Sequence, residues 1–175
     1  MTSAGTASFF DRSGAPEGSL RDTVTESIPI STGAGARIRG VLAPLGPVVR
    51  TDDGVEYAVQ LLDDGDVDYV AVVDESGGPL GLITGGDIVR LQRENPQHWA
   101  GMRCGNVIVP PSRYLHPEDF FDVAVAVLRQ DGVRPLLVLH GAELLGVLEP
   151  SAVFQWCAVH RPAALEELSQ RACEC

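Results

Sequence analysis

Setting Pro47–Leu91 over Ser112–Trp156, a constant offset of 65 with no gaps, superposes the apolar positions of two stretches of this chain. Val55, Ala58, Leu61 and Leu62 fall on Phe120, Val123, Ala126 and Val127, and the run Val70-Ala71-Val72-Val73 falls on Pro135-Leu136-Leu137-Val138. Leu82-Ile83 lie over Val147-Leu148, and Ile88-Val89 over Val153-Phe154. Within that window only Asp66/Asp131, Val73/Val138, Leu80/Leu145 and Gly81/Gly146 are identical, so the repetition lies in pattern and turn placement and not in residue identity. Whatever this chain folds into must be built from two copies of one plan.

Each copy reads the same way physically. Val55, Ala58, Val59 and Leu62 stand at i, i+3, i+4 and i+7, the stripe of an amphipathic helix, which ends in the acidic run Asp63-Asp64-Gly65-Asp66. The strand that follows is apolar on both faces, and Gly77-Gly78-Pro79 turns it into a second short strand. Thr84-Gly85-Gly86-Asp87 then opens a helix. A β-α-β-β-α unit of this kind is an α/β (α+β) element whose sheet must be covered by helices. A unit of about 45 to 50 residues buries too little surface alone, so the two copies are expected to pack together with pseudo-two-fold symmetry. The expected division is a flexible tail over 1–36, repeat 1 over 37–95, a linker over 96–106, repeat 2 over 107–158, and a short C-terminal helix and tail over 159–175.

The order of elements, the Val72-Val73-Asp74 strand end, the stretch Gly81-Leu82-Ile83-Thr84-Gly85-Gly86-Asp87-Ile88 and the tandem spacing resemble a pair of CBS domains, a Bateman module of the stand-alone bacterial kind, over about residues 41 to 157. In that family the hydroxyl and carboxylate of Gly-x-x-Thr/Ser-x-x-Asp commonly hold the ribose of an adenosine-containing ligand. The resemblance therefore implies a ligand site at Thr84 and Asp87, with Ile83, Gly85 and Gly86 around it. It also implies a basic residue from the partner repeat, just before its buried strand, and Arg134 has that place in Gly132-Val133-Arg134-Pro135-Leu136. The corresponding positions of the second copy are Glu149, Ala152 and, at the constant offset, Tyr69, so one competent cleft per chain is expected. AMP, ADP, ATP, NAD or S-adenosylmethionine are the implied regulatory ligands, with no cofactor required, an unidentified regulated protein as partner, and a homodimer formed through helical faces.

The chemistry of these residue types fits. An ionised carboxylate accepts both hydroxyls of a vicinal diol, in charge-assisted hydrogen bonds worth about 1.5 to 3 kcal/mol each. Glycines at 85 and 86 let a sugar approach the helix N-terminus, where unpaired N–H groups and the helix dipole favour an anion. A plainer reading stands beside this one: Thr84 and Asp87 form a capping pair for the helix. Arg134 likewise either meets a phosphate or pairs with the Asp63–Asp68 acids. Arg90, one turn beyond Asp87, reads as exposed helix surface.

The charge balance narrows the function classes. With 13 Lys and Arg against 24 Asp and Glu the net charge is −11, which opposes binding to duplex nucleic acid and to anionic membrane surfaces. No apolar run is long enough to span a bilayer, and the first residues lack a basic start and an apolar core, so a cytoplasmic location with reduced thiols is expected. Cys173 and Cys175 are close enough to grip a metal but lack further ligands at workable spacing, so no metal site is expected. The four histidines are scattered. No Ser-His-Asp or Cys-His grouping and no phosphate loop can be assembled, which disfavours an enzyme. A regulatory sensor and a non-binding structural or dimerisation scaffold remain.

Outside the repeats, Phe9-Phe10 and Ile28-Pro29-Ile30 are the apolar spots of the opening tail. Trp99 and Met102 are expected to fill the groove between the halves. Ala163–Ala172, with Leu165 and Leu168 on one face, reads as the terminal helix.

Overall fold

A computed structural model describes residues 35–65 and 67–173. The opening stretch with Phe9-Phe10 and Ile28-Pro29-Ile30, the acidic Asp66, and Cys175 lie outside the described residues. The first repeat runs β1 (Val48–Arg50), α1 (Val55–Gly65), β2 (Tyr69–Val73), β3 (Pro79–Thr84) and α2 (Gly85–Glu94), after which a short α3 (Cys104–Val107) leads onward. The second repeat runs α4 (Phe121–Asp131), β4 (Leu136–His140), β5 (Glu143–Leu148) and α5 (Pro150–His160), and α6 (Pro162–Cys173) follows. β1 pairs with β2 in parallel and β2 with β3 antiparallel, while β4 and β5 form an antiparallel pair. In place of a second β1 there is a single parallel bridge from Leu115 to Val138. Pro110, Pro111 and Pro117 flank it, and proline has no N–H to extend a ladder.

Strands that are apolar on both faces find two different partners. In β2, Val70 and Val72 face the helices of their own repeat, in a core with Val49, Val55, Ala58, Ile83 and Ile88. Tyr69 and Ala71 point the other way and meet Leu82, Leu137 and Val147, so the two sheets pack on one another through a shared central layer. Leu136, Val138 and Leu148 face the second repeat's own helices, with Phe121, Ala124, Leu128, Val153 and Trp156. Leu168 and Ala164 of α6 are buried in that same core.

The register departs from the constant offset of 65. Val49 pairs with Val72 as Leu115 pairs with Val138, and Val70 meets Ile83 as Leu136 meets Leu148. The true offset is 66 as far as the buried strand and 65 after it, because the first hairpin is one residue longer. In that longer turn the Asp74 carboxylate accepts from Ser76 N, Ser76 Oγ and Gly78 N, with Gly77 at φ +86°. The helix stripe matching Val55, Ala58, Val59 and Leu62 is therefore Phe121, Ala124, Val125 and Leu128, all buried, while Phe120 is exposed.

The cores also ignore the boundaries 37–95 and 107–158. Ala36, just before the first of these spans, and Ile38, inside it, are buried in the core of repeat 2, where Ile38 N donates to Asp119 O and Ala43 bridges Val147. Cys104, after repeat 1, is buried in the core of repeat 1, where its N–H donates to Asp53 O. Trp99 and Met102 belong there too: they pack against the first core instead of the groove between the halves, and Val55 N donates to Met102 O. Each repeat is thus completed by a segment that precedes it in the chain or follows it.

Candidate functional site

Thr84 ends β3 in extended conformation and caps α2. Asp87 N donates to Thr84 Oγ1 (3.3 Å) and Thr84 N donates to Asp87 Oδ2 (3.0 Å), a reciprocal capping box, and Thr84 Oγ1 also donates to Asp87 Oδ2 at 2.8 Å. The plain capping reading of the pair is therefore realised. It does not exhaust the carboxylate. Arg134 reaches over from the second repeat, its Nη2 donating to Asp87 Oδ2 and to Leu82 O, each at 3.2 Å. Arg90 Nη2 donates to Asp87 Oδ1 at 2.7 Å.

Among the described residues Arg134 thus pairs with Asp87 and not with Asp63 or Asp68, and Arg90, exposed on the helix as expected, joins the cluster as well. The side chains of Asp87 and Arg134 are 12% and 20% exposed, so this inter-repeat pair is well screened from solvent, whereas Arg90 is half exposed. Asp87 takes four donors, three on Oδ2 and one on Oδ1, so Oδ2 is fully engaged and Oδ1 has room for one more.

Space opens on both sides of this cluster. One cavity of about 530 Å³ is lined by Thr84, Gly85, Gly86 and Arg134, and across from them by Asp63 and Asp68. A second of about 480 Å³ shares Thr84, Gly86 and Arg134 and adds Asp87, Arg90 and Arg93. Both are of the size that holds a small ligand. The first turn of α2 is bare: a Cβ on Gly85 would meet nothing within 4 Å, and one on Gly86 only Thr84 Oγ1 at 3.7 Å. Ile83 lies apart. Its side chain is fully buried in the first core, because alternation along β3 turns it away from the sheet–sheet layer, and it lines neither cavity. Among the named site residues, then, Thr84, Gly85, Gly86, Asp87 and Arg134 come together and Ile83 does not.

The second copy of the site is chemically reversed. Glu149 stands where Thr84 does and makes no side-chain cap, Pro150 occupies the first helical position of α5, and Ala152 replaces the carboxylate. At the corrected register the counterpart of Arg134 is Asp68, not Tyr69. Tyr69 instead lies in the central layer and donates from its OH to Pro44 O at 3.2 Å. Burial, aided by the negative charges of Glu149 and Asp68, pushes its hydroxyl pKa above the usual tyrosine value. Both acids therefore act on Tyr69, and they hold the positions where the first site has a threonine and an arginine.

Among the described residues there is no group of three or more His, Cys, Asp or Glu placed to hold a metal, and no helix long and apolar enough to cross a membrane.

The CBS-domain family model matches residues 46–94, so the first repeat is a CBS domain. No curated protein is matched by sequence. Among solved structures the chain resembles a conserved CBS-domain protein from Thermoplasma acidophilum (14% identity, TM-score 0.65, covering 78% of this chain and 75% of that one). It also resembles a CBS-domain-containing protein from Agrobacterium tumefaciens (16%, 0.61, 71% and 95%). A third similar structure is CBSX2 in complex with AMP (20%, 0.56, 70% and 96%). At these identities the likeness establishes the fold, and at 70% to 78% of the chain it reaches well beyond the residues that the family model matches.

Proposed function

We propose that this chain is a regulatory module that binds an adenosine-containing ligand in the first cleft and passes its occupancy to a partner protein. The observation that carries the reading is the Arg134–Asp87 contact. A cation from one repeat meets the carboxylate of the other at 3.2 Å, beside open cavities and a bare helix N-terminus. Thr84 and Asp87 supply the hydroxyl and carboxylate for a ribose, the amides of Gly85 and Gly86 and the Arg134 guanidinium suit a phosphate, and the AMP complex of CBSX2 shows that a protein of this fold takes such a ligand.

Because Oδ2 of Asp87 is fully engaged, a diol gripped by both oxygens must displace donors already there, and binding becomes an exchange. The sugar hydroxyls take over positions on the carboxylate, and the phosphate takes over the arginine that leaves it. Both halves of the exchange act on a contact that ties the repeats together, which gives occupancy a route to the relative setting of the two halves. Tyr57, Val89 and Val159, exposed on α1, α2 and α5, support pairing with a second copy through the helical faces.

The scaffold reading keeps one observation in its favour: the cap and the two arginines already give the Asp87 carboxylate partners without a ligand. Calorimetric titration of the whole chain with adenosine and its nucleotides separates the two. Binding that Asp87→Asn and Arg134→Ala each weaken by about 1.5 to 3 kcal/mol, ten- to over a hundred-fold, supports the ligand site. No heat and no thermal shift at millimolar ligand leaves the scaffold.

A further inference from the structure

The two cavities that meet at Thr84, Gly86 and Arg134 have opposite electrostatic character. On the first, Arg134 faces Asp63 and Asp68. The second is lined by three arginines, Arg90, Arg93 and Arg134, against Asp87 and Asp131. In a chain of net charge −11 with only 13 basic residues, three guanidiniums on one cavity are a local reversal of the overall field.

They are also not equally engaged. Arg134 and Arg90 both donate to Asp87, and the Asp131 carboxylate accepts from Ser112 N. Arg93 has no ion-pair partner among the described residues. Arg90 and Arg93 are i and i+3 on α2, so they project from one side of the helix, and Arg93 begins about 9 Å further along the axis than Asp87. A sugar held at Asp87 would bring its first phosphate to Arg134 or Arg90, which Asp87 already half neutralises. The charge of Arg93 is left for something longer.

Resting on the adenosine-site reading above, we propose that Arg93 makes this cleft selective for nucleotides carrying two or more phosphates over a monophosphate. The phosphate chain runs along α2 into the arginine-lined cavity and away from Asp63 and Asp68. Arg93 meets only the distal phosphates, so it sets selectivity and contributes little to holding the nucleoside.

Titration of the full chain with AMP and ATP, in the wild type and in Arg93→Ala, Arg93→Glu and Arg93→Lys, tests this. The wild type is expected to bind ATP at least tenfold tighter than AMP. Arg93→Ala should remove most of that preference with AMP affinity held within twofold, Arg93→Glu should invert it, and Arg93→Lys should restore part of it. Equal affinity for AMP and ATP, or a preference that survives Arg93→Ala, overturns the proposal while an Asp87-dependent AMP signal leaves the adenosine site standing. If neither nucleotide binds, both readings fall together.

Discussion

The two clefts of this molecule occupy equivalent places in one repeated plan and carry opposite chemistry. The first has a threonine cap, a free amide at the first helical position, a carboxylate, and an arginine delivered from the other repeat. The second has a glutamate at the cap, a proline at the first helical position, an alanine, and an aspartate in the arginine's place. None of these exchanges disturbs the buried strands, since Val70, Val72, Leu136 and Val138 hold the same registers in both halves. The fold tolerates a charge reversal at strand and helix ends because none of the charged groups exchanged there is buried in a core. A repeat can thus lose or gain a binding site without touching its core.

A second contrast concerns how each repeat is completed. Segment 36–43 crosses onto β5, and the segment after α3 crosses onto β3, at the paired glycines Gly146 and Gly81. The fit differs: a Cβ on Gly146 would stand 2.6 Å from Ala43 O, whereas one on Gly81 would have Val109 O as its nearest neighbour at 3.5 Å. Gly146→Ala must therefore push a hydrogen-bonded backbone away, a forced overpacking that costs about 1 to 3 kcal/mol. Gly81 is buried too, but Gly81→Ala asks only for ordinary van der Waals contact, so its cost should be the smaller of the two. Thermal melts should show a clear loss for Gly146→Ala and a much smaller change for Gly81→Ala. Similar losses for both would mean that the two crossings are equally tight.

Much of this was legible beforehand, for identifiable reasons. Helix stripes and doubly apolar strands repeat because both halves bury the same faces, and the Thr84/Asp87 pair and Arg134 sit where turn and strand positions put them. The missed features are those that periodicity does not encode. A one-residue difference in hairpin length, between the Asp74 turn and the turn at Gly141, left the alignment after it intact and slipped the one before it, which made Tyr69 and not Asp68 the counterpart of Arg134. Ala36, Ile38 and Cys104 belong to the repeat across the boundary, and nothing in their spacing says so. Arg90 is surface, as its place on α2 suggests, and what the pattern does not show is that it shares the Asp87 carboxylate with Arg134 and the cap.

The corrected register makes Asp68 informative. It lines the cavity opposite Arg134, so it repels any phosphate held there, and it is exposed, so that repulsion is partly screened. Asp68→Asn should tighten nucleotide binding by about 0.4 to 1 kcal/mol, two- to fivefold, in low salt, with the gain shrinking as salt rises. An affinity that is unchanged in low salt would detach the second cleft's acids from the first cleft's ligand.

The smallest expected difference lies between the two cores, each of which holds one buried cysteine. Burial, reinforced by the negative charge of Asp53, pushes the Cys104 thiol up to about 11. Burial raises Cys157 as well, but the nearby Arg129 cation works against it. A raised folded-state value means that the folded chain keeps a proton which the unfolded chain gives up. The resulting stability is whole below the ordinary thiol value near 9 and is lost as pH climbs through about 11. Tyr69 and Tyr114, both raised by burial, extend the loss in the same direction. The melting temperature should therefore fall across that window, and Cys104→Ala should flatten the fall more than Cys157→Ala, because the second core's thiol already has a compensating charge beside it. An equal flattening by both variants would show that burial alone sets the alkaline limit, and that Asp53 and Arg129 do not distinguish the two halves.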